Sequence, residues 1–220
     1  MFQRDYLMRM ISQMTEALGQ VMGLRRELKH VEALLVIDEL LDKKFRLNGR
    51  LIRSLSEEDL ISMMTTSGVM EEDNLGAIAL LMKQEAEIYE ELGKEEASFA
   101  LHVKCLQLVM RLSLRDAHPS LMNPVKEAYA LLDVLSPYEL PAATKELLME
   151  WYESQGRFDL AENTLYERIR QGGLMLSEAE AFYHRLLLQP DERLVGGGLP
   201  RAEVIQGLAD LKVTQTTDSE

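Results

Sequence analysis

Two pairs of residues in this sequence have the types and spacing that metal sites use. His102 and Cys105 stand three apart, so a helix would place an imidazole and a thiol on one side, as in half of a zinc site. Glu27 and His30 have the Glu-x-x-His spacing of di-iron helical bundles, which need two such motifs and two further glutamates. The sequence contains neither a second Cys/His pair nor a second Glu-x-x-His motif. We therefore expect no metal site, and we assign His102 and Cys105 to packing positions.

Two further patterns could support acid–base or phosphate chemistry. Glu180 and His184 are four apart, so they could touch across one helical turn, although one such pair is typical of a protein surface. Gly196-Gly197-Gly198 precedes a predicted helix, and free amides at a helix start attract anions. These glycines lack the Gly-Lys-Ser/Thr ending of a phosphate-binding loop, so they indicate a hinge. The sequence predicts no catalytic residue and no cofactor.

Charge and composition restrict the classes of partner. The 220 residues include 24 basic and 37 acidic side chains, a formal net charge of −13, and this field repels nucleic acid and anionic membrane surfaces. The lone cysteine, Cys105, cannot form an intramolecular disulfide, which favours a reducing compartment. Apolar runs such as residues 77–82 are far shorter than the roughly 18 residues of a membrane span, and charges interrupt the N-terminal apolar pattern of a signal peptide. We expect a cytoplasmic protein.

Apolar residues recur with helical periodicity along most of the chain, and alternation typical of strands is not convincing anywhere. This pattern predicts an all-α fold of antiparallel helical hairpins. The predicted helices span residues 2–22, 33–45, from 57, 71–92, 95–112, 121–135, 141–155, 158–171, 177–188 and 200–211. The predicted domains are a helical-repeat domain (1–195), a Gly-rich linker (196–199), a C-terminal docking helix (200–212) and a disordered tail (213–220).

Two of the predicted hairpins carry residues at the spacing of a known repeat. The first set is Leu148, Tyr152, Gly156, Phe158 and Ala161, and the looser second set is Ala86, Tyr89, Gly93, Ser98, His102 and Cys105. Both sets resemble tetratricopeptide repeats, helix-turn-helix units of about 34 residues. The resemblance implies a degenerate array, stacked as a right-handed α-solenoid or a compact helical-repeat bundle. In such a unit the glycine ends the first helix in the left-handed conformation.

A second resemblance covers most of the chain. The segment from Asp5 to Ile11, together with Leu55 to Leu60 downstream, is similar to an uncharacterised bacterial family of repeat-like proteins. This similarity implies a bacterial source and adds no mechanism.

The tetratricopeptide resemblance implies a candidate binding face on the first helix of each hairpin. When the sequence is aligned to the repeat pattern at the motif residues, seven side chains fall on this face: Lys83, Glu87, Glu90, Glu91, Glu146, Glu150 and Glu153. The family's carboxylate clamp uses Lys and Asn at such places, whereas acids predominate here, so like-charge repulsion disfavours acidic peptides. A basic or amphipathic protein segment suits the face better, although a merely solvated acidic face has the same pattern.

The leading hypothesis is a non-enzymatic protein-protein interaction module or a self-associating scaffold. A scaffold of the second kind would be a homo-oligomer. The alternative is a small-molecule sensor or enzyme with a pocket between helices, where His102, His184 or Tyr152 would be polar anchors.

Overall fold

The computed structural model of this chain describes residues 2–45, 47–172 and 176–217. In this part of the chain the backbone forms helices and one short pair of strands, so the all-α prediction is confirmed. The helices are α1 (Phe2–Arg26), α2 (His30–Phe45), α3 (Gly49–Ser54), α4 (Glu57–Met63), α5 (Glu72–Glu91), α6 (Glu95–Leu114), α7 (Pro124–Leu135), α8 (Ala142–Ser154), α9 (Phe158–Arg170), α10 (Leu176–Leu187), α11 (Asp191–Gly196) and α12 (Arg201–Thr217). The strands β1 (Thr65–Thr66) and β2 (Val69–Met70) pair antiparallel.

Two short helices and a pair of short strands were not predicted. Helices α3 and α11 have six residues each, which is too short for a helical period to show. Asn48 begins α3, because its side chain accepts a hydrogen bond from the Arg50 amide at 2.7 Å. The two strands are joined by Ser67 and Gly68, whose φ values of 53° and 79° suit a two-residue hairpin.

The chain divides into two compact units, residues 1–139 and 140–220. This division lies between α7 and α8, whereas the sequence places the domain boundary at residues 196–199. In the first unit α1 pairs with α2, α5 with α6, and α6 with α7. The interior is apolar: Leu81 and Ile88 of α5 and Leu106 and Val109 of α6 are fully buried.

The two hairpins that resemble tetratricopeptide repeats have the same turn. Gly93 and Gly156 follow the first helix of their hairpins with φ of 69° and 70°, in the left-handed region that glycine adopts without strain. Each glycine amide donates to the carbonyl three residues back, Gly93 to Glu90 at 2.9 Å and Gly156 to Glu153 at 3.1 Å. The following amide donates to the carbonyl five back, which is the Schellman pattern. The same turn therefore leads from α5 into α6 and from α8 into α9.

The second unit has its own hydrophobic core. Its buried residues come from α8 to α12 and are Met149, Phe158, Ala161, Leu165, Ala179, Phe182, Tyr183, Leu186, Leu194, Leu199, Val204 and Leu211. Tyr183 is the polar member of this core, and its hydroxyl donates to Glu162 at 2.7 Å. The hydroxyl is therefore hydrogen-bonded although the ring is buried.

The segment predicted as a flexible linker is a packed turn. Gly196 ends α11. The Asp159 amide at the start of α9 has no partner within its own helix, and it donates to the Gly197 carbonyl at 3.0 Å. Helix α12 extends to Thr217, past the predicted docking helix, so residues 213–217 of the predicted disordered tail are helical. Residues 218–220 of that tail lie outside the described residues.

Candidate functional site

A groove of about 320 Å³ opens in the first unit between the C-terminal end of α1 and the C-terminal half of α5. Its lining residues are Met22, Arg25, Arg26, Glu87 and Glu91. Two cations from α1 thus face two carboxylates from α5, beside one apolar side chain. Met22 is 43 % exposed, so an apolar contact remains open to a ligand.

Arg25 is the centre of the groove's hydrogen-bond network. Its Nη1 donates to Gln84 Oε1 at 2.7 Å and to the Glu87 carboxylate, and its Nη2 donates to Glu91 Oε1 at 2.7 Å. His30, the first residue of α2, lies 2.9 Å from Glu91 Oε2 through its Nε2. Three helices therefore meet at one network of charged groups.

Local sequence explains this convergence. Gln84, Glu87 and Glu91 stand at i, i+3 and i+7 of α5, so they lie on one face of that helix. Arg25 is in the last turn of α1, and the short turn after it returns the chain so that His30 begins α2 beside it.

The electrostatics of Arg25 and Glu91 reinforce each other. Burial lowers the pKa of Arg25, but hydrogen bonds to Glu91 and Glu87 outweigh burial, and the net pKa is raised. The hydrogen bond from Arg25 lowers the pKa of Glu91, with a smaller contribution from His30. Both groups are held in their charged forms.

The seven sequence-predicted face residues divide between the two units. In the first unit, Glu87 and Glu91 line the groove and Lys83 pairs with Glu127 of α7. Glu90 is exposed at the end of α5 and forms no ion pair with the described residues.

In the second unit, two of the predicted acids have basic partners on other helices. Glu153 accepts two hydrogen bonds from Arg185 of α10, at 3.0 and 2.9 Å. Glu146 lies 3.7 Å from Arg168 of α9, and the charge of the exposed Glu150 helps to raise the pKa of Arg185. The repeat motif could not reveal the cations opposite these acids.

The groove's basic half was missed by sequence reasoning. Arg25 and Glu87 are 62 residues apart, and no local pattern links residues at that separation. The available signal was the Arg25-Arg26 pair, which lies beyond the predicted helix 2–22 and in the last turn of α1.

The other candidate residues are engaged in packing or ion pairs. His102 and Cys105 are buried in α6, where His102 Nδ1 lies 3.2 Å from Ser98 Oγ and the Cys105 thiol donates to the Ala79 carbonyl at 3.2 Å. Burial lowers the pKa of His102 and raises the pKa of Cys105. Glu27 pairs with Lys29 at 2.7 Å instead of joining His30.

The three anchors of the alternative hypothesis do not share a unit. His102 belongs to the first unit, whereas Tyr152 and His184 belong to the second, with His184 exposed on α10. Within residues 2–45, 47–172 and 176–217, no three His, Cys, Asp or Glu side chains are grouped to hold a metal ion. No helix in the same ranges has the length and hydropathy of a membrane span.

A protein-family model described as a family of unknown function (DUF6483) matches residues 1–216. The chain belongs to this family. No curated protein and no solved structure matches the sequence of this DUF6483 member. The match covers both units and the whole groove, so the residues described above are part of the family's shared region.

Replacing Arg25 by Met in this DUF6483 protein is expected to lower the free energy of unfolding by about 1–3 kcal/mol, because Gln84 and Glu87 lose a charged donor. Glu91 contributes little to this loss, since it is 37 % exposed and water replaces its partner. Urea-induced unfolding measures the change.

The control is Arg26→Met, because Arg26 is exposed and forms no ion pair with the described residues. A change within about 0.5 kcal/mol is expected. Equal losses in the two variants would contradict the central role of Arg25.

Proposed function

We propose that this protein is a non-enzymatic protein-interaction module of tetratricopeptide-like hairpins, which acts in the bacterial cytoplasm and binds a basic or amphipathic segment of a partner protein. The observation that carries the proposal is the groove between α1 and α5, where an exposed apolar side chain lies beside a network of fixed charges. Because the charged side chains of the groove are already held in place, little conformational entropy is lost in ordering them when a partner binds.

The exposed groups of the groove define the chemistry of the segment. Met22 offers an apolar contact, and the carboxylate of Glu91, whose side chain is 37 % exposed, offers an acceptor for a basic side chain. Arg26 is an exposed residue of the same lining. An amphipathic segment with a basic residue matches the apolar and the acidic group.

The hairpin turns support the tetratricopeptide-like part of the proposal. Gly93 and Gly156 adopt the same left-handed conformation with the same pair of hydrogen bonds, although they belong to different units. Phe158 and Ala161 are buried after the second turn, as the repeat pattern requires. Two hairpins with one geometry are typical of a repeat that has diverged in sequence.

Site-specific photo-crosslinking tests the groove. A photoreactive amino acid replaces Arg26 in the full chain, and in a control chain it replaces Arg50, which is exposed on α3. In a lysate of the cells that make the protein, we expect position 26 to cross-link a partner peptide with basic and apolar residues, which mass spectrometry identifies. Adding Met22→Glu is expected to reduce the yield about tenfold, since a charge replaces the apolar contact.

Two outcomes would contradict the proposal. Equal adducts from positions 26 and 50 would show that the groove is not a preferred contact. Cross-links from position 26 to a second copy of the chain, with a dimer in light scattering, would make the groove a self-association surface instead.

A further inference from the structure

Helix α2 and the turn before it present an apolar surface that the described residues leave uncovered. Leu28, Val31 and Leu35 are 76 %, 70 % and 63 % exposed. Val31 and Leu35 are four apart on α2, so they lie on one side of that helix, and Leu28 precedes them in the turn. Single exposed apolar residues are common on protein surfaces, whereas three highly exposed ones within eight positions indicate a contact surface. We name these three residues the α2 surface.

Leu28 is an unexpected residue for its backbone conformation. Its φ is 58°, in the left-handed region, and its amide and the next one donate to the carbonyls of Arg25 and Leu24 at 2.9 Å. This is the turn that Gly93 and Gly156 make in the other hairpins, where glycine avoids the strain. A leucine here destabilises the turn, and its side chain is mostly exposed, so its own fold gains little from it.

The exposed acidic side chains of α2 are Glu32, Glu39 and Asp42. Lys43 pairs with Glu39, and Lys29 pairs with Glu27 at 2.7 Å while the charge of Glu32 also helps to raise the pKa of Lys29. The exposed leucine and valine side chains of the α2 surface therefore lie next to a stretch of helix with two further exposed carboxylates, Glu32 and Asp42.

Charge complementarity selects the kind of partner. A second copy of this chain would bring the same two carboxylates to the interface and a net charge of −13 to the complex, so like charges oppose that pairing. An anionic membrane surface is opposed for the same reason. A cationic amphipathic helix supplies apolar residues for Leu28, Val31 and Leu35 and basic residues for Glu32 and Asp42.

We propose that the α2 surface is a docking site for a basic amphipathic helix of another protein. This site shares no residue with the groove between α1 and α5, so it goes beyond the function proposed above. Leu28 then has a role that its turn geometry does not explain, since it supplies one of the apolar side chains of the α2 surface.

Fluorescence anisotropy with the full chain tests the proposal. The probe is a labelled synthetic helix of leucine and lysine in amphipathic order. One control peptide has the same composition in scrambled order, and another has glutamate in place of lysine. We expect the amphipathic cationic peptide to bind, and Leu35→Ser to weaken it about tenfold because a buried leucine contact is lost. The matched variant Leu188→Ser, whose side chain is 85 % exposed on the second unit, is expected to leave binding unchanged.

Leu28→Gly separates binding from folding. Because glycine removes the strain of the left-handed residue, we expect the melting temperature to rise by roughly 2–4 °C while peptide binding weakens about threefold to tenfold. A purely structural role for Leu28 would not weaken binding in a more stable protein. Because the groove proposed above also accepts a basic amphipathic segment, the Leu35→Ser and Leu28→Gly comparisons are repeated in a Met22→Glu background, where the remaining binding belongs to the α2 surface, so failure of the two sites can be told apart.

Several results would overturn the proposal. Equal binding of the scrambled or glutamate peptide would remove the amphipathic or the cationic requirement, and an unchanged affinity in Leu35→Ser would remove the α2 surface. A dimer that Leu35→Ser dissociates would show that a second copy is the occupant. Binding to anionic lipid vesicles that depends on Leu35 would show a membrane surface as the occupant.

Discussion

Replacing Arg53 by Met is expected to lower the free energy of unfolding by about 3–5 kcal/mol, the loss that follows when a buried ion pair loses one partner. Arg53 of α3 donates through Nε to Glu85 Oε2 at 2.9 Å and through Nη2 to Asp38 Oδ1 at 2.6 Å. The Glu85 side chain is completely buried, whereas Asp38 is half exposed. Most of the loss therefore comes from leaving Glu85 without its cation, because water can solvate Asp38 but not Glu85.

The pH dependence of this loss has a defined sign. Burial raises the pKa of Glu85 above its ordinary 4.5, and the charge of Arg53 offsets only part of that shift. Between the unfolded and the folded pKa the folded chain binds more protons, so the stability contributed by Glu85 falls as the pH rises. Removing Arg53 raises the pKa of Glu85 further. We expect the deficit of Arg53→Met to be largest near neutral pH and to shrink as the pH approaches about 5.

Urea-induced unfolding followed by circular dichroism from about pH 5 to 8 measures both effects. The matched control is Arg50→Met on the same short helix, where the exposed side chain predicts a change within about 0.5 kcal/mol. A second control is the double variant Arg53→Met, Glu85→Leu, which removes both charges and is expected to recover most of the loss. A double variant as unstable as the single one would instead assign the loss to packing of the arginine stem.

Gly197→Ala is expected to destabilise the second unit by about 1–3 kcal/mol, the usual cost of overpacking. A Cβ atom at this position would lie 2.4 Å from the Gly156 carbonyl oxygen and 2.4 Å from Cδ2 of Phe158. The Gly156 carbonyl belongs to the backbone, so it cannot move aside as a flexible side chain would. The turn would have to separate from the start of α9, which would also break the bond from the Asp159 amide to Gly197.

Gly196→Ala is the matched control for this prediction. No atom lies within 4 Å of a Cβ added at Gly196, so a change within about 0.5 kcal/mol is expected. Trp151 is the only tryptophan and is buried in the second unit, so its fluorescence reports the unfolding of that unit. Similar midpoints for the two alanine variants would contradict the close packing at Gly197 and would support the flexible linker expected from the sequence.

Sequence reasoning located the long helices because apolar spacing is local information. Helix α6 begins at residue 95 as predicted, and α5 lies within one residue of its predicted bounds at both ends. The six-residue helices α3 and α11 were missed because two turns or fewer contain too few residues for a period. Asn48 and the glycines at 196–198 were interpreted only as interruptions, although Asn48 begins a helix and Gly197 accepts a bond from another helix.

The candidate sites were only partly predictable for the same physical reason. The sequence predicted Glu87 and Glu91 on a candidate binding face, but their partner Arg25 is more than 60 residues away in the chain. The α2 surface was also not predicted, because an apolar residue on an amphipathic helix is assigned to the core by default. Val31 and Leu35 are exposed because α1 and α5 pack on other sides of α2, and Leu28 lies in the turn before that helix.

By itself, then, the sequence determined the all-α class, the positions of the long helices and the left-handed glycine turns at residues 93 and 156, since each depends on residues close together in the chain. Only the tertiary structure decided which charges are paired, which glycines are packed and which apolar side chains stay exposed. Those properties depend on helices that meet across long separations, where burial and electrostatic pairing act between residues that no local pattern connects.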